Sequence, residues 1–201
     1  MTVDPFSLAG KRILVTGASS GIGRQVAISC ASMQAEVVIS GRDEPRLQET
    51  LAQLDGGGHA AVVADLTAAA DRARLADAAD KVHGIAHCAG ISAIGPFRMI
   101  SEKHLDELLD VNFRSPVLLT QRMVAKKQVV AGGSIVFISS SAVHIGTPVT
   151  SMYAASKAAL IPAARSLATE IGARQQIRVN CITPGYTRTP MLDRLNQCRS
   201  Q

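Results

Sequence analysis

The stretch Ser151-Met-Tyr-Ala-Ala-Ser-Lys-Ala-Ala-Leu160 places a phenol, Tyr153, four residues before an ammonium, Lys157. On a helix, residues at that spacing lie one above the other on the same face. A positive charge held there favours tyrosinate, which makes the pair a candidate proton donor and acceptor. Taken alone, the spacing is better described by an amphipathic helix whose tyrosine packs and whose lysine snorkels. Chemistry at this pair therefore needs partners elsewhere in the chain.

A second motif lies near the start. Thr16-Gly-Ala-Ser-Ser-Gly-Ile-Gly23 holds three glycines within seven residues, directly after an apolar run. Glycines there let the backbone turn tightly and approach a diphosphate, and the following helix offers free N–H groups and the positive end of its dipole. Many strand-to-helix turns need glycine for steric reasons alone. The placement in a first strand–helix–strand unit favours dinucleotide binding.

The elements that would position these motifs follow from hydrophobic periodicity. Strands are predicted at 12–16, 36–40, 60–64, 82–88, 133–139 and 177–182, and helices at 21–33, 44–54, 67–79, 101–127 and 150–171. Apolar strands alternating with helices imply a doubly wound parallel α/β sheet, covered by helices on both faces and joined by right-handed crossovers. The whole chain, 1–201, reads as one domain.

The second strand ends Ser40-Gly41-Arg42. A dinucleotide fold often places an acid at this turn to meet the ribose hydroxyls. A guanidinium there instead suits a 2′-phosphate, so NADP(H) is expected over NAD(H). Asp65 closes the third strand, where it could meet the adenine amino group or cap the next helix near Thr67.

Together these residues resemble the short-chain dehydrogenase/reductase family, and within it the 3-oxoacyl-ACP-reductase-like members. The resemblance rests on the ordered series of the Thr16 to Gly23 loop, Asp65, Cys88-Ala89-Gly90, Asn112, Ser140, Tyr153-x-x-x-Lys157 and Pro184-Gly185. It implies a Rossmann fold and a catalytic tetrad of Asn112, Ser140, Tyr153 and Lys157. Ser139 and Ser141 are chemically equivalent to Ser140; the family's usual spacing of thirteen residues before the tyrosine selects Ser140. By the same resemblance, Tyr153 passes a proton to a developing alkoxide, Lys157 also bonds the nicotinamide ribose, and Asn112 holds a water in a proton relay.

The implied cofactor contacts are Gly17, Ser19, Ser20, Gly21, Ile22, Gly23, Arg42, Asp65, Leu66, Ala89, Gly90, Tyr153 and Lys157. They continue in a nicotinamide loop of Pro184, Gly185, Thr187 and Thr189, with backbone contacts near Ile182. The implied activity is hydride transfer between NADP(H) and a carbonyl or secondary alcohol. The long helices at 101–127 and 150–171 correspond to those through which family members form a four-helix bundle, so a homodimer or homotetramer is expected.

Two departures stand out. Members often read Asn-Asn-Ala-Gly where this chain has His87-Cys88-Ala89-Gly90, which should change stability more than activity. His87 itself reads as hydrogen-bonded structure rather than a metal ligand or catalyst. The family also continues into a substrate lid and a seventh strand; this sequence stops at Gln201, so either those residues lie beyond it or the protein lacks them. Without them, a weakly active cofactor-binding or oligomer-forming protein is the alternative reading.

Composition excludes other classes. The net charge of +5 is dispersed, and 3% aromatic content leaves few stacking platforms, so nucleic acid is not an expected partner. Part of the excess lies near the end, where Arg174, Arg178, Arg188, Arg194 and Arg199 are opposed only by Asp193. Cys30, Cys88, Cys181 and Cys198 lie far apart, against a zinc site or a disulfide framework. The opening MTVDPFSLAGKR lacks the apolar stretch of a secretion signal, and no run approaches the roughly 20 apolar residues of a membrane span. A soluble cytoplasmic protein is expected, with no membrane partner and no metal.

Overall fold

The computed structural model describes residues 4–192. Arg194, Arg199, Asp193 and Cys198 lie outside them. The strands are β1 (Arg12–Thr16), β2 (Glu36–Gly41), β3 (Ala60–Val63), β4 (Val82–His87), β5 (Val129–Ile138) and β6 (Arg178–Ile182). The helices are α1 (Gly21–Ser32), α2 (Glu44–Leu51), α3 (Ala69–Ala79), α4 (Glu102–Leu109), α5 (Ser115–Ala125), α6 (Ser151–Ala158) and α7 (Leu160–Gln175).

All six strands pair in parallel, in the order β3-β2-β1-β4-β5-β6. This is the expected doubly wound sheet. Strand alternation divides the core between its faces. Leu14 and Val38 join Leu75 of α3, Leu119 and Met123 of α5, and Leu160 of α7 on one face. Val15, Val37 and Ile39 meet Ala27 and Ala31 of α1 and Leu47 of α2 on the other. Chain order reverses between β1 and β4, which opens a crevice at the carboxyl ends of the strands.

Two helices expected to be continuous are interrupted. The 101–127 segment passes through one π turn at Asp110–Arg114, between α4 and α5. Pro116 has no N–H, so it cannot make the bond to the Asn112 carbonyl that an α-helix requires. The 150–171 segment breaks at Ala159 and continues to Gln175. Pro162 likewise cannot bond the Ala158 carbonyl. β5 also begins earlier than expected: its register against β4 shifts between Val82 and Gly84, and Gly132 takes a φ of +79° in the irregular stretch.

At the opposite end of the sheet, Arg12 pairs with Glu36 and donates to the Ala79 carbonyl at 2.9 Å, tying β1, β2 and the end of α3 together. The amino ends of the first strands, opposite the glycine loop, are thereby fixed.

Candidate active site

The loop after β1 brings its backbone against the turn after β4. Gly17 has a φ of +66°, and a Cβ added there would lie 2.6 Å from the Ala89 Cα. Only glycine meets both the left-handed backbone and the close approach. Arg24 braces the loop by donating to the Ser19 carbonyl at 2.8 Å, and its ion pair with Glu49 joins α1 to α2. Ser20 stands at the cap position of α1, yet its hydroxyl makes no capping bond. The amides opening α1 are left for another acceptor.

A cleft of about 550 Å³ runs over this loop. It is lined by Gly17, Ser19, Ser20, Gly21, Ile22 and Gly23, by Arg42 beyond β2, by Asp65 and Leu66 beyond β3, and by Ala89 and Gly90 beyond β4. Arg42 is exposed, and no hydrogen bond or ion pair holds its guanidinium among the described residues. Asp65 accepts from the Thr67 N–H at 3.0 Å and from its hydroxyl at 2.8 Å, while lining the cleft. These bonds close the turn before α3 and do not cap it, since its N-cap is Ala68 with no side-chain capping bond.

A second cleft of about 190 Å³ adjoins the first, and Ile22, Cys88, Gly90, Thr189 and Met191 line both. Its walls include Ser140, Tyr153, Lys157, Pro184, Gly185, Thr187 and Thr189. The described residues fit a dinucleotide lying across both clefts. Ser40 and Ser115 line the larger one with buried hydroxyls that have no partner, the α1 amides are uncapped, and Arg42 is unpaired. The carbonyl of Ile182 is already taken by the Ser139 N–H at 2.8 Å, so the backbone contact expected there is limited.

The four residues of the expected tetrad lie on three neighbouring segments. Asn112 is fully buried in the π turn. Its Oδ1 accepts from the Ile91 N–H at 2.8 Å, and its Nδ2 donates to the Ile91 carbonyl and to the Ser156 hydroxyl, each at 3.0 Å. Lys157 is 5% exposed and donates from Nζ to the Ile138 carbonyl at 2.9 Å. With no carboxylate bonded to it, burial lowers the ammonium to about 8. A Cβ at Gly90 would lie 2.9 Å from that Nζ, so the absent side chain makes room for the lysine.

Of the three serines that follow β5, geometry sets Ser139 apart, while Ser140 and Ser141 both line the smaller cleft. The Ser139 hydroxyl is buried and donates to the Lys157 carbonyl at 2.8 Å. Ser140 accepts from the Ala142 N–H at 3.2 Å and faces the smaller cleft, which leaves its own O–H available as a donor. Ser141 anchors the loop beyond β6 by donating its N–H to the Pro184 carbonyl at 2.9 Å.

Sequence reasoning missed several residues. Ser156 and Ser139 fasten the helix that carries Tyr153 and Lys157; their position beside catalytic candidates was the available signal. Asp43 follows Arg42 directly, so the turn after β2 is not free of acid. Its carboxylate caps α2 and is held low by its hydrogen bonds from Arg46. Arg46 also lines the larger cleft.

His87 turns away from both clefts. Its Nε2 pairs with the Thr120 hydroxyl at 2.8 Å and its ring stacks on Phe137 at 4.8 Å between centroids. Burial lowers it to about 3, so it is neutral across the physiological range. Cys88 remains a thiol, pushed up to about 12 by burial. No group of three or more His, Cys, Asp or Glu among the described residues could hold a metal ion, and none of their helices is long and apolar enough to cross a membrane.

The profile of the short chain dehydrogenase family matches residues 11–200. The human dehydrogenase/reductase SDR family member 4 is 37% identical over 193 residues, covering 92% of this chain and 68% of that protein. A dehydrogenase/reductase from Sinorhizobium meliloti superimposes with a TM-score of 0.87 at 32% identity, covering 92% of this chain and 76% of the other. A further structure, titled short chain dehydrogenase/reductase family protein, gives 0.86 at 39% identity, with 94% and 80% covered. The motifs, the sheet order and these likenesses agree: the chain belongs to the short-chain dehydrogenase/reductase family of NAD(P)-dependent oxidoreductases.

Proposed function

We propose that the protein transfers hydride between NADP(H) and a carbonyl/secondary alcohol pair, with Tyr153 as general acid and base. The observation that carries the reading is the convergence of Ser140, Tyr153 and Lys157 on a cleft that opens into a dinucleotide-sized one. When bound, the reduced nicotinamide supplies a hydride, with its electron pair, to the carbonyl carbon.

In the reductive direction the Tyr153 hydroxyl gives its proton to the carbonyl oxygen, completing the secondary alcohol. Ser140 donates a hydrogen bond to the same oxygen and stabilises charge developing there. The buried Lys157 ammonium stabilises the tyrosinate left behind, and with a value of about 8 it can return a proton near neutral pH. Asn112 acts through position, fixing Ile91 and the tyrosine helix around the lysine. Oxidation of the alcohol runs the same steps backwards.

Gly17, Ser19, Ser20, Gly21, Ile22 and Gly23 would hold the diphosphate, Asp65, Leu66, Ala89 and Gly90 the adenosine and its approach, and Pro184, Gly185, Thr187 and Thr189 the nicotinamide. The unpaired Arg42 supports a 2′-phosphate contact and hence NADP(H). The groove of about 400 Å³ between α5 and α7, with Val117, Val124 and Leu167 on its walls, supports the homodimer or homotetramer. The reading also includes one dinucleotide-binding domain and a cytoplasmic location, where the free thiols of Cys30, Cys88 and Cys181 would stay reduced.

The test is a fluorescence titration with NADPH and NADH, followed by ketone-dependent consumption of the bound dinucleotide. Tighter NADPH binding with turnover is expected. Absence of turnover across neutral and charged ketones, with the dinucleotide bound, would overturn the catalytic reading.

A further inference from the structure

Resting on that oxidoreductase reading, we infer that the substrate is an uncharged ketone flanked by apolar groups, and that the site discriminates against ketones carrying a carboxylate or phosphate. The groups of the smaller cleft that can carry charge or pass a proton to a carbonyl oxygen stand together as Ser140, Tyr153 and Lys157. The rest of its lining is uncharged among the described residues and mixes hydroxyls, such as Ser92, Thr147 and Thr150, with the apolar surfaces of Ile94, Ile145, Met191 and Leu192.

Among the described lining residues, Lys157 is the only charged side chain. Its ammonium lies buried beside Gly90 and is committed to the Ile138 carbonyl. Arg98 and Arg188, the nearby guanidinium groups in sequence, are not part of the described lining. An anionic substituent beyond the carbonyl would therefore lose hydration without meeting a counter-charge.

The mouth points the same way. Ile145 is 60% and Tyr186 79% exposed, although both line the cleft. An apolar substituent leaving the carbonyl would cover these groups and gain from their removal from water. With about 190 Å³ shared between the nicotinamide end and the substrate, the buried portion of the substrate is compact, and any larger substituent lies across this mouth.

The experiment compares two matched pairs, ethyl benzoylformate with benzoylformate and ethyl pyruvate with pyruvate, which differ in charge at the carbon next to the ketone. With NADPH, kcat/KM for each ester should exceed that of its acid by about 100-fold or more, as an uncompensated buried carboxylate costs several kcal/mol and about 1.4 kcal/mol is tenfold. Ile145→Arg should narrow the ratio at least about tenfold by supplying the missing counter-charge. Equal rates, or preference for an acid, would overturn the inference.

Binding to the NADP⁺ complex, which has no hydride to give, is measured by calorimetry on the same four compounds. Esters binding tighter without any reduction would leave the substrate class standing and remove the catalytic reading. Acids binding tighter, or no ester binding, would remove the substrate class.

Discussion

The Asn112 side-chain amide donates to the Ser156 hydroxyl at 3.0 Å, and that hydroxyl donates in turn to the Tyr153 carbonyl at 2.8 Å. Ser156 and Asn112 are both fully buried, so the Asn112 amide has no water as a substitute for this hydroxyl. Asn112 also grips both backbone groups of Ile91 beyond β4. One hydroxyl thus links the π turn, the loop that walls the cleft and the helix bearing Tyr153.

Ser156→Ala is expected to lower kcat about tenfold or more and to weaken NADPH far less, because most of the expected dinucleotide contacts, at the glycine loop and Arg42, do not pass through it. Stability should fall by about 1–3 kcal/mol from the unsatisfied buried amide. Steady-state kinetics, cofactor titration and urea unfolding check the three parts. Unchanged kcat would show that the link does not position the tyrosine.

Arg42→Ala should weaken NADPH by roughly tenfold to a hundredfold, the range for about 1.5–3 kcal/mol from a charge-assisted hydrogen bond. NADH affinity should move far less. Arg46 is a poor substitute because it is engaged by Asp43. Parallel fluorescence titrations decide the point, and equal losses for both dinucleotides would remove Arg42 from the phosphate site.

The Lys157 ammonium gives stability a signature in alkali. Its folded value of about 8 lies below the ordinary 10.5, so the unfolded chain binds more protons between those values. This group's contribution should therefore rise with pH through that window, by on the order of 3 kcal/mol, and be flat below it. In Lys157→Met the rise should vanish. Urea unfolding of both proteins at pH 7 and pH 10 measures it, and parallel pH profiles would contradict it.

His87 acts at the acid end. Burial holds it neutral down to about 3 when folded, against 6.5 for the free group. The unfolded chain takes up the proton first, so stability should fall as pH drops from 6.5 towards 3. His87→Phe preserves an aromatic neighbour for Phe137 and should flatten this part of the profile. An equally steep acid transition in the variant would assign the sensitivity elsewhere.

The sheet was legible because strand and helix periods are strong over apolar runs, and Gly17, Asn112, Ser140, Tyr153 and Lys157 could be named as candidates because their order and spacing resemble the family's. The interruptions near Asn112 and Ala159 were less legible, although Pro116 and Pro162 caused them. A proline deletes one helical bond, but whether the chain bends, widens into a π turn or stops depends on what packs around it. The roles of Ser139 and Ser156 were hidden for a related reason. Ser139 meets the Lys157 carbonyl only through folding; Ser156 bonds the Tyr153 carbonyl locally on its own helix, and it is the Asn112 amide that folding brings to the same hydroxyl. Likewise, the Asp43–Arg46 pair is local in sequence, yet its bearing on the Arg42 turn appears only once α2 is seen to start there.

The most direct measurement is NADPH-dependent ketone reduction by Tyr153→Phe, made alongside its NADPH affinity. Loss of turnover by about a hundredfold or more, with affinity close to that of the parent protein, is the expected result for the removal of a positioned general acid. Substantial turnover by the phenylalanine variant would contradict the assignment of Tyr153, and with it the mechanism built on Ser140, Tyr153 and Lys157.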